Sequence, residues 1–148
     1  MKQWLENLAL VAATFWIGGL WVVGIVAYEL FKLIPEAQLA GNIAGQLFKM
    51  MAFVGMATSI YLLIQRVYQF GTNALKQGFF WLVVLMLVLI LISHLGINPL
   101  LEKFKLEAMP KDVMESVFAD RFATWHGVSS IAYLIECFLG IFVILKIR

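Results

Sequence analysis

Asp120–Glu136 reads DRFATWHGVSSIAYLIE. At about 100° per residue, His126, Ser129, Ser130, Tyr133 and Cys137 share one helical face, and Glu136 lies at its edge. The stretch carries the chain from a charged segment into an apolar one, so these polar groups belong to a segment of membrane-spanning character. In lipid such groups are costly unless they find partners inside a bundle. The stretch therefore reads as one helix of a transmembrane bundle.

Composition agrees. The chain has 148 residues, 63% of them hydrophobic, whereas soluble domains hold about 45–50% apolar residues. Mean hydropathy is +0.92. A net charge of +2, without a basic cluster, excludes a nucleic-acid partner. Cys137 is the single cysteine, which excludes an intramolecular disulfide and a thiol-based zinc site. The apolar stretch from Leu8 to Ala27 exceeds a signal-peptide core and reads as an uncleaved first span.

Four spans follow, at about 8–31, 40–65, 79–101 and 122–145 of one integral-membrane domain, 1–148. Gly18 and Gly19 in span one allow close helix approach. In span two Gly41, Gly45, Ala52, Gly55 and Ser59 form a small-residue stripe, suited to packing inside the chain or to a homodimer face. Lys49 beside it either snorkels to the interface or faces an acid such as Glu29. Pro35 breaks the first connection, 32–39, and 66–78 forms the second. The last turns of span three hold Ser93, His94 and Asn98 before Pro99. Pro110 and the spacing of Val113, Met114, Val117 and Phe118 predict an amphipathic extramembrane helix running directly into span four. From Lys111 that helix would be about 54 Å long, so it protrudes or bends near Gly127. The expected fold is all-α, a four-helix transmembrane bundle with both termini on one side.

Basic residues do not orient it. Lys2, Arg66, Lys76, Lys146 and Arg148 flank the side of the termini; Lys32, Lys49, Lys103, Lys105, Lys111 and Arg121 flank the other. Three of the first group sit at the chain ends close to the spans, which favours cytoplasmic termini.

The up-and-down order brings His94, His126, Glu29, Lys49, Asn98, Asp120 and Arg121 to one leaflet. Three readings compete. The polar groups cap helix ends in a structural or partner subunit. Alternatively, His94 and His126 hold a metal of copper type or the iron of haem b, since imidazole suits copper, zinc and iron. Or the polar leaflet is the mouth of a small-molecule or ion path, in a small and oligomeric protein. Familiar enzyme motifs (GxSxG, HExxH, P-loop) are missing from the sequence. The lipid bilayer is the one partner the composition itself names; a homo-oligomer or a membrane-protein partner would follow from the small size.

FWIGGLW (Phe15–Trp21), ELF (Glu29–Phe31) and LAGNIAGQLF (Leu39–Phe48) in the first half, and RFATWHGVSSIAYL (Arg121–Leu134) in the second, resemble the transmembrane protein 205-like domain, a family of unknown function. The likeness covers most of the chain and is closest to the small bacterial members. It implies a four-span helical protein of the bacterial inner membrane and no established activity. Its signature positions here are Trp16, Gly19, Trp21, Gly41, Gly45, Phe48, Arg121, Phe122, His126, Gly127 and Ser129. A looser likeness, to the copper-resistance CopD-type membrane domain, rests on helical spans and scattered histidines.

Overall fold

The computed structural model describes residues 2–147, with nothing said of the Lys2 side chain. Arg148, counted above among the basic residues, lies outside the described residues. The chain is helical throughout: α1 (Lys2–Leu33), α2 (Ala37–Phe70), a 3₁₀ stretch (Gly71–Lys76), α3 (Gly78–Leu91), a π-helical turn (Ile92–Ile97), α4 (Asn98–Ala108), a 3₁₀ turn (Val113–Glu115) and α5 (Ala119–Lys146). No strand occurs among the described residues. Four helical stretches, Gln3–Leu33, Ala37–Lys76, Gly78–Ala108 and Ala119–Lys146, are long and apolar enough to cross a membrane. The shortest has 28 residues, about 42 Å of helix against a hydrocarbon core of about 30 Å. Large apolar side chains such as Phe15, Val11 and Val22 point outward on these helices, as lipid contact requires. This is an integral membrane bundle.

The helices form a ring in chain order: α1 against α2, α2 against α3, α3 against α5, and α5 back against α1. The half nearest the termini is tightly filled by a cluster that includes Ala13, Trp16, Ile17, Leu62, Val83, Met86 and Val143. Glycines make the close approaches there. A Cβ at Gly55 would stand 2.7 Å from Trp16 Nε1 and 2.8 Å from Ile90 Cδ1, and one at Gly140 would stand 2.7 Å from Ile17 Cδ1. Where lipid removes the hydrophobic drive between helices, such backbone proximity is what holds them together.

The same end is stitched by hydrogen bonds. Tyr61 donates to Leu5 O at 3.1 Å, and Gln69 Nε2 to Glu6 Oε1 at 3.0 Å. Arg66 was expected in a loop, at the edge of the 66–78 connection. It is instead buried in α2, which runs on to Phe70. Its Nη2 donates to Lys146 O (3.4 Å) and Ile147 O (3.1 Å), and its guanidinium lies 4.0 Å from the Phe79 ring centroid. It thereby satisfies carbonyls that the end of α5 leaves without helical partners.

Two features of the polar segment differ from expectation. The third span, expected to end at about Leu101, runs through Pro99 and on to Ala108. The proline ring would clash with the carbonyl four residues back and has no N–H to offer. The chain widens into a π turn just before it, with Asn98 N–H bonding to Ser93 O, and the helix continues as α4. Second, no helix runs from Lys111 into span four. Residues 109–118 fold back on themselves because their polar side chains take up local backbone groups. Asp112 Oδ1 accepts from Met114 N at 2.8 Å; Ser116 Oγ donates to Val113 O at 2.7 Å and accepts from Phe118 N at 3.1 Å. The amphipathic part of this segment is thus α4, the continuation of span three. Its Phe104 and Ala108 bury against Val113, with Phe118 and Phe122 alongside.

Candidate functional site

At the end away from the termini the ring opens. A cavity of about 1430 Å³ enters between the helices and ends on Leu20, Met51, Ile90, Glu136 and Cys137. Below that floor lies the packed half described above.

Each wall is a helical face. On α5, His126, Ser129, Ser130 and Tyr133 descend to Glu136 at three- and four-residue steps. Further down the same face, Gly140 and Val143 are packed, so one stripe lines the cavity and then seals it. On α2, Gln38, Asn42, Gln46 and Lys49 repeat at similar steps, beside Gly41, Gly45 and Ala52. Ser93, His94 and Asn98 come from the third span, and Glu102, Lys105 and Asp112 stand at the mouth. Aromatic and aliphatic side chains fill the spaces between them, among them Trp21, Phe31, Phe48 and Leu134.

Glu136 is the deepest acidic group on the cavity. It is 5% exposed, about 26 Å along α5 from Ala119, and makes no hydrogen bond or ion pair among the described residues. Above it the Tyr133 hydroxyl donates to Leu20 O, and the Tyr133 ring meets Phe48 edge-on at 4.8 Å between centroids. Two further groups on the cavity are buried without a partner: Gln38 Oε1 and His94 Nδ1. At the mouth Lys105 Nζ bonds Asn42 Oδ1 and Glu102 Oε1, both at 3.0 Å, and so ties α4 to α2. Lys49, facing the cavity, has no ion-pair partner among the described residues.

Most of the polar residues singled out from sequence converge here. Asn98, Ser129, Ser130, Tyr133, Glu136, His94 and His126 all border the cavity, although Ser130 also turns its hydroxyl back to His126 O at 2.9 Å. Glu29 and Arg121 do not border it. Glu29 pairs with Lys32 at 2.9 Å and not with Lys49. Arg121 is exposed.

The two histidines occupy different walls, and each ring packs on a phenylalanine. His94 meets Phe53 edge-on at 5.0 Å, and His126 stacks on Phe122 at 5.8 Å. No group of three or more His, Cys, Asp or Glu able to hold a metal ion occurs among the described residues.

The small-residue stripe of α2 splits in two. Gly55 and Ser59 are buried in the packed half, whereas Gly41 meets only the Phe31 ring, at 3.6 Å, and Gly45 has nothing within 4 Å. Gly18 likewise faces open space, while Gly19 abuts Met51.

Of the polar wall of α2 only Lys49 was expected at this leaflet; Gln38, Asn42 and Gln46 were not, although their four-residue spacing leads to it.

A family model described as a domain of unknown function, DUF4149, matches residues 11–110. The chain belongs to the DUF4149 family. In this DUF4149 protein the matched segment supplies the cavity walls of α1, α2 and the third span. The α5 wall, with His126 and Glu136, comes from beyond it. No curated protein and no solved structure matches the chain.

Proposed function

We propose that this DUF4149 protein binds a small amphipathic molecule within the membrane, and that the cavity is the loading half of a transport path. One observation carries the reading: a cavity of about 1430 Å³ lies between the helices in the half away from the termini and reaches Glu136 above a packed half. Ligand cavities are largely apolar with a few placed polar groups, and carriers hold their sites near the bilayer midplane with one side shut. Of the three readings drawn from the sequence, this geometry favours the pathway over the helix-capping subunit. It gives Gln38, His94 and Glu136 a use that capping does not. The histidine-ligand reading has only two imidazoles on separate walls, each packed on a phenylalanine. In the proposal the whole chain acts as one domain, in a bacterial inner membrane, akin to the small bacterial members of the transmembrane protein 205-like family. With cytoplasmic termini, the mouth faces the periplasm.

The test uses Ser129→Cys in a Cys137→Ala background, reconstituted in liposomes and treated with a membrane-impermeant methanethiosulfonate. Labelling from one side only is expected, and a bound styrylpyridine dye should slow it. Val143→Cys, in the packed half, should stay unlabelled. Absence of labelling at Ser129→Cys from either side would overturn the vestibule and the function built on it.

A further inference from the structure

We infer that the ligand of this cavity is an organic cation, a protonated amine or quaternary ammonium, whose charge is held by the Glu136 carboxylate. The inference rests on the binding function just proposed and names its substrate class.

Glu136 is 5% exposed and borders the cavity floor, with no hydrogen bond or ion pair among the described residues. An unpaired carboxylate at such depth is expensive, and acidic groups within spans are retained where they pair or line a substrate path. The basic side chains of the cavity do not relieve it. Lys105 is held at the mouth by Asn42 and Glu102. Lys49, on the cavity wall of α2, makes no ion pair among the described residues. A cation arriving from the mouth supplies the missing charge.

The walls decide which kind of cation. Hard metal ions demand about six oxygen ligands at short range, and no cluster of three or more His, Cys, Asp or Glu exists among the described residues. Instead the approach to Glu136 is aromatic. Tyr133, one turn above it, meets Phe48 edge-on, and Trp21 lies on the same cavity against Phe138 at 5.6 Å. Aromatic faces attract ammonium groups through their quadrupoles, and one carboxylate with several rings suits an organic cation that carries its own apolar body. An anionic ligand would meet the floor acid with like charge.

The experiment compares a matched pair of fluorescent probes on the full chain in phosphatidylcholine nanodiscs, whose lipid carries no net charge. The cationic probe is 4-(4-dimethylaminostyryl)-N-methylpyridinium; the neutral one is its unmethylated parent at mildly alkaline pH. Wild type should bind the cationic probe about tenfold or more tighter than the neutral one. Glu136→Gln should erase that preference and leave neutral binding unchanged; Glu136→Asp should retain much of it, since a buried ion pair loses more than about tenfold when one charge is removed.

A wild-type measurement stands in if Glu136→Gln does not fold. Dicyclohexylcarbodiimide forms an N-acylurea on membrane-buried carboxyls, read by mass spectrometry. The cationic probe should block the adduct at Glu136 and the neutral parent should not. Equal binding of the two probes, no binding of either, or unchanged cation binding in Glu136→Gln would each overturn the organic-cation inference. One-sided labelling of Ser129→Cys decides separately whether the vestibule stands.

Discussion

Gly45 and Gly55 lie on one face of α2 and meet opposite surroundings. A Cβ at Gly55 would press on Trp16 Nε1 at 2.7 Å and Ile90 Cδ1 at 2.8 Å, whereas Gly45 has nothing within 4 Å. Gly55→Leu should therefore destabilise the protein by about 1–3 kcal/mol through overpacking. Gly45→Leu should change stability by less than about 0.5 kcal/mol. Thermal unfolding in one detergent compares them directly. Sequence spacing put both glycines on one face, which is correct. It carried no information on where along that face the neighbouring helices diverge, because this depends on side chains of α1 and α3. Arg66 shows the same limit. Read as the edge of a loop, it bonds carbonyls some eighty residues away. Arg66→Met should cost about 1–3 kcal/mol, since hydrogen bonds from a charged donor would be lost in the packed end, again read by thermal unfolding.

Among the elements, the four spans were legible because their apolar runs are long and their turns carry glycine or proline. Gly71, at φ 55°, closes α2 in the region that glycine enters most freely. Two prolines shape the polar segment. Pro99 sits inside a continuing helix because a π turn absorbs it, and that widening has no signature in residue type. Pro110 belongs to a fold-back, where Asp112 and Ser116 outcompete the helical pattern of Val113, Met114, Val117 and Phe118. The fold-back makes a sharp prediction. Ala119 N–H bonds Ser116 O at 3.2 Å, and Phe118 has φ −93° and ψ −2°, which is the third position of a type I turn. Val117 is then the second position, where proline is favoured, and it is 91% exposed. Val117→Pro should shift stability by less than about 1 kcal/mol. In a continuous helix from Lys111 the same change would cost about 3 kcal/mol or more. Melting curves separate the two.

For the molecule as a whole, the packed half and the open half differ in what holds them. Amide hydrogen exchange in nanodiscs should show it: backbone around Trp16, Ser59 and Leu62 should exchange more slowly than backbone around Asn42, Gln46 and Ser129. Much of the cavity was legible, since the inward face of Asp120–Glu136 follows from helical period alone. Glu136 was placed at the edge of that face; the ring arrangement turns it inward and buries it. The omission of the α2 wall had a different cause. Gln38, Asn42 and Gln46 are uncharged and share α2 with the glycine stripe, whose spacing is the stronger signal. Only the splaying of the bundle gives them a common space.

The stitched end also acts as a fulcrum. Tyr61, Arg66 and Gln69 clamp the tail of α2 to the backbone of α1 and α5 and to Glu6, and from that clamp the helices reach out like the arms of tongs. The Lys105–Asn42 bond is a light catch near the tips. A slight change of angle at the clamp becomes a large change of aperture at the far end. The packing angle at the clamped end therefore sets how far apart the helices stand at the mouth.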